Sequence, residues 1–503
     1  MSKYTQKESG GLYELTDAAR AELSSSKYYN EDLAPTPISQ RTWSTYHIAM
    51  LWVGMSVCIP SFTMASSLVA LGLSPWMAVL NVALGNLIIL IPIQLNSHAG
   101  TKYGLPFPVF ARLAFGSIGA HVPSLSRALT ACGWNAVQAW IGGGAIVAVV
   151  AAFAPSFAAM PAAPFIGFGI FLLLTWFVTV KGSESIKYLE AVGSPVLIIL
   201  TALLFIWSIM LGASGGFSFA DLLRASTDMT TVNASGGFVY VFLGGLTANI
   251  AFWATMALNI PDFSRYAKNQ KAQFRGQLYG MPVMMAACAF IGAIFAQSTL
   301  LVMGTAMFDP TAVLPLIGNP FITVLVSLGV VLATITTNIA ANVVAPANGF
   351  SNLSPKRISY KMGVTISCLL AILYRPWWIF GGAGSYIFGW LNTYGGILAP
   401  VAAIFIADYY IVKKRNIDVM ALFQGKEGRY WYQGGWNIKA VIAWVVGFAL
   451  PTLGNFGVTS LKWVAANGYI FGFAVAFIVY VLLMKSETVS FISDEEEEAM
   501  TER

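Results

Sequence analysis

This sequence is short of charge. Of its 503 residues, 10% are Asp, Glu, Lys or Arg and 57% are hydrophobic, whereas soluble domains carry roughly 25% charged residues. Histidine is almost as scarce, with only His47, His98 and His121. No His-Glu-x-x-His, P-loop or nucleophile elbow occurs, so enzyme chemistry has no visible constellation. Cysteine is limited to Cys58, Cys132, Cys288 and Cys368, all inside apolar runs and without His neighbours. That pattern argues against both disulfides and a metal centre. The N-terminus lacks the apolar core of a signal peptide. Residues 1–41 are mostly polar, with Ser24-Ser25-Ser26 and Pro35/Pro37, and are read as a disordered cytoplasmic tail. Residues 486–503, with Asp494 and Glu495 to Glu498, are read as an acidic solvated tail.

What is present is a series of apolar runs of membrane-spanning length. They do not alternate with the period of two that marks a membrane β-barrel. The expected fold is therefore all-α and integral to a membrane. Twelve spans are predicted, at 44–68, 74–97, 120–151, 163–181, 186–212, 237–259, 276–304, 319–346, 361–374, 380–409, 437–455 and 465–484. The formal charge of +6 belongs to short connections and gives no nucleic-acid signal. Basic residues gather at 260–275, 347–360 and 410–436, on the N-terminal side. Of the 28 Lys and Arg, Arg224, Arg375 and Lys462 fall on the other side. That bias predicts cytoplasmic termini, most simply in a bacterial inner membrane.

Residues 333–348 form an uncharged polar stripe inside an apolar run, in which Asn338 and Asn342 share a helical face. Unsatisfied amides and hydroxyls are costly in lipid, so this face should meet protein, water, an ion or a substrate. Two spans look interrupted: the first at Gly54 and Pro60, and the sixth around Gly244-Gly245, Asn249 and Phe252-Trp253. Interrupted helices at matching positions of two halves point to a transporter's midplane site. Each feature alone also fits an ordinary kink.

In the third span, Trp134 and Gln138 are one turn apart on one face. An indole offers a stacking plane and an amide offers both donor and acceptor, which suits a flat, amide-bearing ring. The same pair serves equally well as helix-packing glue. Trp140 lies off that face and reads as packing. Trp253 can supply a second aromatic wall and Asn342 another amide. Thr336 and Thr337 offer oxygen to a hard cation, although Thr in membrane helices commonly bonds back to its own helix. Glu190 is a carboxylate near the start of the fifth span and a candidate proton site; an interfacial pair with Lys187 is its alternative.

Three segments carry a family resemblance. They are Phe252 to Ala267 (FWATMALNIPDFSRYA), Thr336 to Pro346 (TTNIAANVVAP) and Gly100 to Pro108 (GTKYGLPFP). Each resembles the corresponding segment of the nucleobase–cation symporter-1 family, and the likeness runs from about Thr42 to Lys485. Within the family the chain is closer to the allantoin, uracil and plastidic nucleobase branches than to the cytosine permeases. The resemblance implies a five-plus-five inverted repeat, at 42–212 and 237–409, joined by an extracellular loop at 213–236, with two further helices at 410–485. It implies alternating access and symport of a planar heterocycle such as uracil, allantoin or a hydantoin. The substrate residues it implies are Trp134, Gln138, Trp253, Asn342 and the neighbouring Phe252. Cys58 stands where relatives carry Asn or Gln, a departure that bears on selectivity. A sodium shell is implied at the backbone oxygens of Gly54, Val57 and Ala333 and the hydroxyls of Thr336 and Thr337. Because the family includes proton-coupled members, H+ is the alternative cation, and a proton-coupled purine/pyrimidine permease the alternative function. A channel or uniporter and an integral-membrane enzyme are the other classes weighed. No cofactor, nucleic acid or obligate protein partner is expected beyond substrate, coupling ion and bilayer.

Overall fold

The computed structural model describes residues 5–7, 11–29, 33–181, 183–354 and 357–487; for 5–7, 183–197, 340, 348 and 351–352 it describes the backbone alone. Apart from a small antiparallel pair, β1 (Thr5–Lys7) and β2 (Tyr13–Leu15), the described chain is helical. The helices used below are α1 (Asp17–Ser24), α2 (Thr45–Ser56), α3 (Ile59–Ala70), α4 (Pro75–Tyr103), α5 (His121–Ala151) and α6 (Ala163–Val180). They continue with α7 (Ser183–Ser214), α8 (Phe238–Phe252), α9 (Ala254–Asn259), α10 (Gln270–Met303) and α11 (Pro320–Asn338). The last are α12 (Val344–Leu353), α13 (Tyr360–Leu373), α14 (Asn392–Ile406), α15 (Ile438–Asn455) and α16 (Gly468–Leu483). Among the described residues, seven helices are long and apolar enough to cross a membrane, and three bent helix pairs also qualify. Two shorter apolar helices, α8 and α13, accompany them.

Two packed groups frame the molecule. In one, α10 lies against α2, α3 and α4, and α8 lies on α4. In the other, α5 lies against α6, α11, α12 and α13. A third set, α14, α15 and α16, packs mainly on itself, and α14 also touches α8. Buried asparagines on α4 tie the first group together. Asn81 Nδ2 donates to Phe242 O at 2.7 Å, Asn249 Nδ2 to Asn81 Oδ1 at 2.9 Å, and Asn96 Nδ2 to Ala257 O at 2.7 Å. Such bonds hold polar residues inside a bundle where lipid offers none.

The interruption of the first span falls where it was expected, between Gly54 and Pro60. Helices α2 and α3 meet at 58° across Val57 and Cys58. The interruption of the sixth span, expected around Gly244-Gly245, Asn249 and Phe252-Trp253, falls at Trp253, while both glycines lie inside the continuous α8. The glycines serve contact instead. A Cβ on Gly245 would meet Leu68 Cδ2 at 2.5 Å, and one on Gly244 would meet Phe388 Cε1 at 2.6 Å.

The disordered-tail reading of residues 1–41 also needs correction over its described part. Helix α1 is capped by Thr16 and buries Ala19 and Leu23, with Leu15 just before it. These residues repeat every fourth position, a pattern that makes one apolar helical face and is easily overlooked in a polar segment. Arg41 is buried and donates to the carbonyls of Thr36, Thr101 and Tyr13. Burial pushes its guanidinium down to about 10, still well above neutral pH. The connection at 410–436 is likewise packed: Met420, Leu422, Phe423 and Tyr430 are buried, and Ser26 Oγ donates to Phe423 O at 2.5 Å.

Candidate substrate and cation site

The two packed groups face each other across a cavity of about 40 Å³. Met55, Cys58 and Pro60, at and beside the α2–α3 break, line one side. Phe252, Trp253, Thr255 and Met256, at the α8–α9 break, continue that side. Trp134 and Gln138 of α5, with Thr337, Ala341 and Asn342, complete the lining. The cavity thus joins both interruptions and the polar stripe. Its volume is small beside the roughly 300–1,000 Å³ of typical ligand pockets.

The aromatic wall is held edge to face. Trp134 meets Phe252 at 5.2 Å and 75°, and Phe252 meets Trp253 at 5.0 Å and 82°. Phe252 therefore touches both indoles. Behind Trp134 lie Tyr386, Trp390 and Tyr394, with ring centroids at 6.4, 6.0 and 6.2 Å. Trp253 is fixed from behind: its Nε1–H donates to Asn86 Oδ1 at 2.9 Å, and its ring meets Trp52 at 5.1 Å and 83°. Trp140, off this face, packs against Phe165, Phe168 and Trp377, as expected of a packing residue.

The amides divide into satisfied and available. Asn342 Nδ2 donates to Asn338 Oδ1 at 3.3 Å, and Asn338 Nδ2 donates to Asn135 Oδ1 at 2.7 Å. Asn338 thus bridges the polar stripe to α5. This relay leaves the Asn342 carbonyl oxygen on a cavity-lining residue. Gln138 is buried at 3% exposure, yet its amide makes no hydrogen bond to another described residue. A buried amide without a protein partner is costly, and Gln138, which lines the cavity, has its amide free for a ligand.

The stripe is not a plain α-helix. After α11 the chain makes a π-helical turn, Ile339–Val343, before α12. Such π-bulges concentrate at functional sites because they redirect side chains and free main-chain groups. The turn contains Asn342. The alternation of Thr, Asn and Ala in the sequence carries no clear sign of it.

The candidate cation ligands lie beside the α2–α3 break. Cys58 N–H turns to Ser56 O at 3.0 Å, which deprives the Gly54 carbonyl of its helical donor. Val57 and Ala333 share one small buried cluster, so the break abuts α11. Thr336 Oγ1 donates to Ala333 O at 2.8 Å. This is the back-bonding that threonine favours in helices, and it leaves the hydroxyl lone pairs uncommitted. Thr337 lines the cavity itself, whereas Gly54, Val57, Ala333 and Thr336 do not. Cys58 lines it with Sγ 3.3 Å from Ser61 Oγ. The side chain of Glu190 lies outside the described residues.

Sequence reasoning missed Asn86 and Asn135, which hold the site from behind, and Met55, Pro60, Thr255, Met256 and Ala341 on its walls. Thr255 and Met256 lie two and three residues after Trp253, inside the quoted motif. Asn86 and Asn135 are amides inside apolar spans, a signal passed over in favour of Trp134 and Gln138.

A family model described as permease for cytosine/purines, uracil, thiamine and allantoin matches residues 35–479. The chain belongs to this family, the nucleobase–cation symporter-1 permeases. It is a membrane transporter and not an enzyme. Over 474 residues it is 38% identical to the purine–uracil permease NCS1 of Arabidopsis thaliana, covering 90% of this chain and 77% of that one. It is 33% identical to the allantoin permease of Bacillus subtilis, covering 92% and 94%. Among solved structures, the nucleobase–cation-symport-1 transporter Mhp1, closed with bromovinylhydantoin bound, superposes with a TM-score of 0.75 at 23% identity, covering 92% of this chain and 97% of that one. That likeness establishes a shared fold.

Proposed function

We propose that this permease is a secondary active symporter for a planar, amide-rich heterocycle, with uracil and allantoin the first candidates and hydantoins next. The ring lies between Trp134 and Trp253, Gln138 reads one edge through its donor and acceptor, and Asn342 reads another. The observation that carries this reading is the buried Gln138 amide, free of described partners, on a cavity walled by two indoles. Stacking contributes about 0.5–1.5 kcal/mol beyond area burial, and each neutral hydrogen bond about 0.5–1.5 kcal/mol net. The relatives' names favour uracil and allantoin over cytosine.

The coupling ion is sodium, held by main-chain oxygens of Gly54, Val57 and Ala333 and by Thr336 and Thr337. Helix α2 ends at this point, and the negative end of its dipole favours a cation. The ion bridges the first span and the eighth, while the substrate touches both packed groups. Binding of either therefore favours the same relative placement, and that shared preference is the coupling. Opening and closing proceed by alternating access in a twelve-span, five-plus-five architecture, with both termini in the cytoplasm of a bacterial cell.

The test is a binding screen of purified protein against uracil, allantoin, hydantoins, cytosine and purines, repeated with Trp134→Ala and Gln138→Ala. At least one of the first three should bind, and both variants should lose it while remaining folded. Unchanged binding in both variants would remove the site assignment.

A further inference from the structure

A second, larger cavity of about 260 Å³ lies away from the aromatic site, between α3, α7, α11 and the 3-10 turn Pro310–Leu316. Its floor is buried: Phe62 and Ala333 are each 2% exposed and Val330 5%. Its mouth is open, with Leu203, Ile206 and Met210 of α7 and Ile322 of α11 exposed. The exposed apolar rows run on from the mouth, through Ile198 and Ile199 on α7 and Phe321, Leu325 and Leu328 on α11. In a membrane permease such rows face lipid, so the groove is an inlet of the lipid-facing surface.

The lining decides the chemistry. Polar side-chain atoms come only from Thr201, Trp207 and Thr311, and the Thr311 hydroxyl is already tied to the Asp309 carboxylate. A water needs two to four polar partners, which this groove does not provide, and a headgroup would lose its hydration without replacement. A slender, flexible apolar chain fits, because each contact it makes with the walls gains dispersion energy that a void forfeits.

We propose that this groove is a lipid site that holds one acyl chain of a bilayer phospholipid, inserted from the leaflet beside the Pro310–Leu316 turn. Its deep end reaches Ile59, the first residue of α3 after the break, and Ala333. An inserted chain braces α7 against α3 and α11 beside the interrupted first span. Any movement of α7 toward α11 has to expel it.

The experiment uses the full-length permease in nanodiscs made with a phospholipid carrying a mid-chain diazirine, followed by irradiation, digestion and mass spectrometry. Adducts should appear on the floor as well as the rim, at Phe62 and Val330 together with Leu203 and Ile322. Val326→Trp, which fills the groove, should abolish floor adducts and leave those on the distant face of α15, at Ile442 and Leu450, unchanged. If that variant disturbs folding, Val330→Met reads the same loss with a smaller side chain. Rim labelling without floor labelling would overturn the proposal, since lipid would then pass over a closed groove. Floor labelling that persists in the filled variants would overturn it too. Absence of labelling on both rim and floor would overturn it as well, with another protein surface, such as a second copy, covering the face in place of lipid. No transport substrate enters this readout, so its outcome is independent of the substrate assignment.

Discussion

Replacing Asn86 with Leu should loosen Trp253 without touching the substrate. In the native protein the Trp253 indole N–H donates to Asn86 Oδ1 at 2.9 Å, with Asn86 fully buried and Trp253 6% exposed. The other contact of Asn86, donation to Val82 O at 2.8 Å, lies within its own helix and is expendable. Leu leaves a buried donor without a partner, at a cost of about 1–3 kcal/mol. Part of that cost lowers stability. The rest is relieved by rotation of the indole, which takes the stacking face out of register. The stacking term, about 0.5–1.5 kcal/mol, bounds what can be lost from binding. The expected rise in Kd is therefore about twofold to tenfold, since 1.4 kcal/mol is a factor of ten. Equilibrium binding of labelled substrate to Asn86→Leu, Trp253→Phe and the double variant forms a double-mutant cycle. Because Trp253→Phe has no N–H to strand, Asn86→Leu should cost little more in that background. An equal effect of Asn86→Leu in both backgrounds, or an unchanged Kd in a folded single variant, would show that Asn86 does not position Trp253.

Other expectations follow from the same geometry. Asn338→Leu breaks the relay from Asn342 to Asn135 and should weaken substrate binding several-fold, read by the same equilibrium assay. Thr337→Val removes a hydroxyl without changing shape and should raise the sodium concentration for half-maximal uptake more than it raises KM for substrate; steady-state uptake at varied sodium separates the two. Arg41→Ala strands the carbonyls of Thr36, Thr101 and Tyr13, and should lower Tm and expose residues 11–41 to limited proteolysis, with little change in substrate Kd. Glu190→Gln should leave sodium-driven uptake intact, and its loss would support proton coupling instead.

The helical membrane fold was legible because lipid imposes it: charge is confined to connections, and apolar runs have the length of a bilayer. Trp134, Gln138, Trp253 and Asn342 were legible because polar and aromatic residues are conspicuous in apolar spans, and they meet at one cavity. The first break was visible because Pro60 cannot continue a helix. The second falls at Trp253, the last residue of the Gly244–Trp253 stretch in which it was expected, and Gly244 and Gly245 instead permit close approach to Phe388 and Leu68. The π-turn at Ile339–Val343 and the support from Asn86 and Asn135 depend on which helices meet, which local sequence does not encode. The packed segment around α1 escaped because its apolar face is only three residues wide.

Sodium-driven symport is decided by uptake of labelled uracil and allantoin into proteoliposomes with an imposed inward sodium gradient, with no gradient, and with a proton gradient alone. At least one of them should accumulate above the external concentration under the sodium gradient, equilibrate when sodium is equal on both sides, and fail to accumulate in Gln138→Ala. Equilibration without accumulation under every gradient would contradict symport and identify a passive pathway.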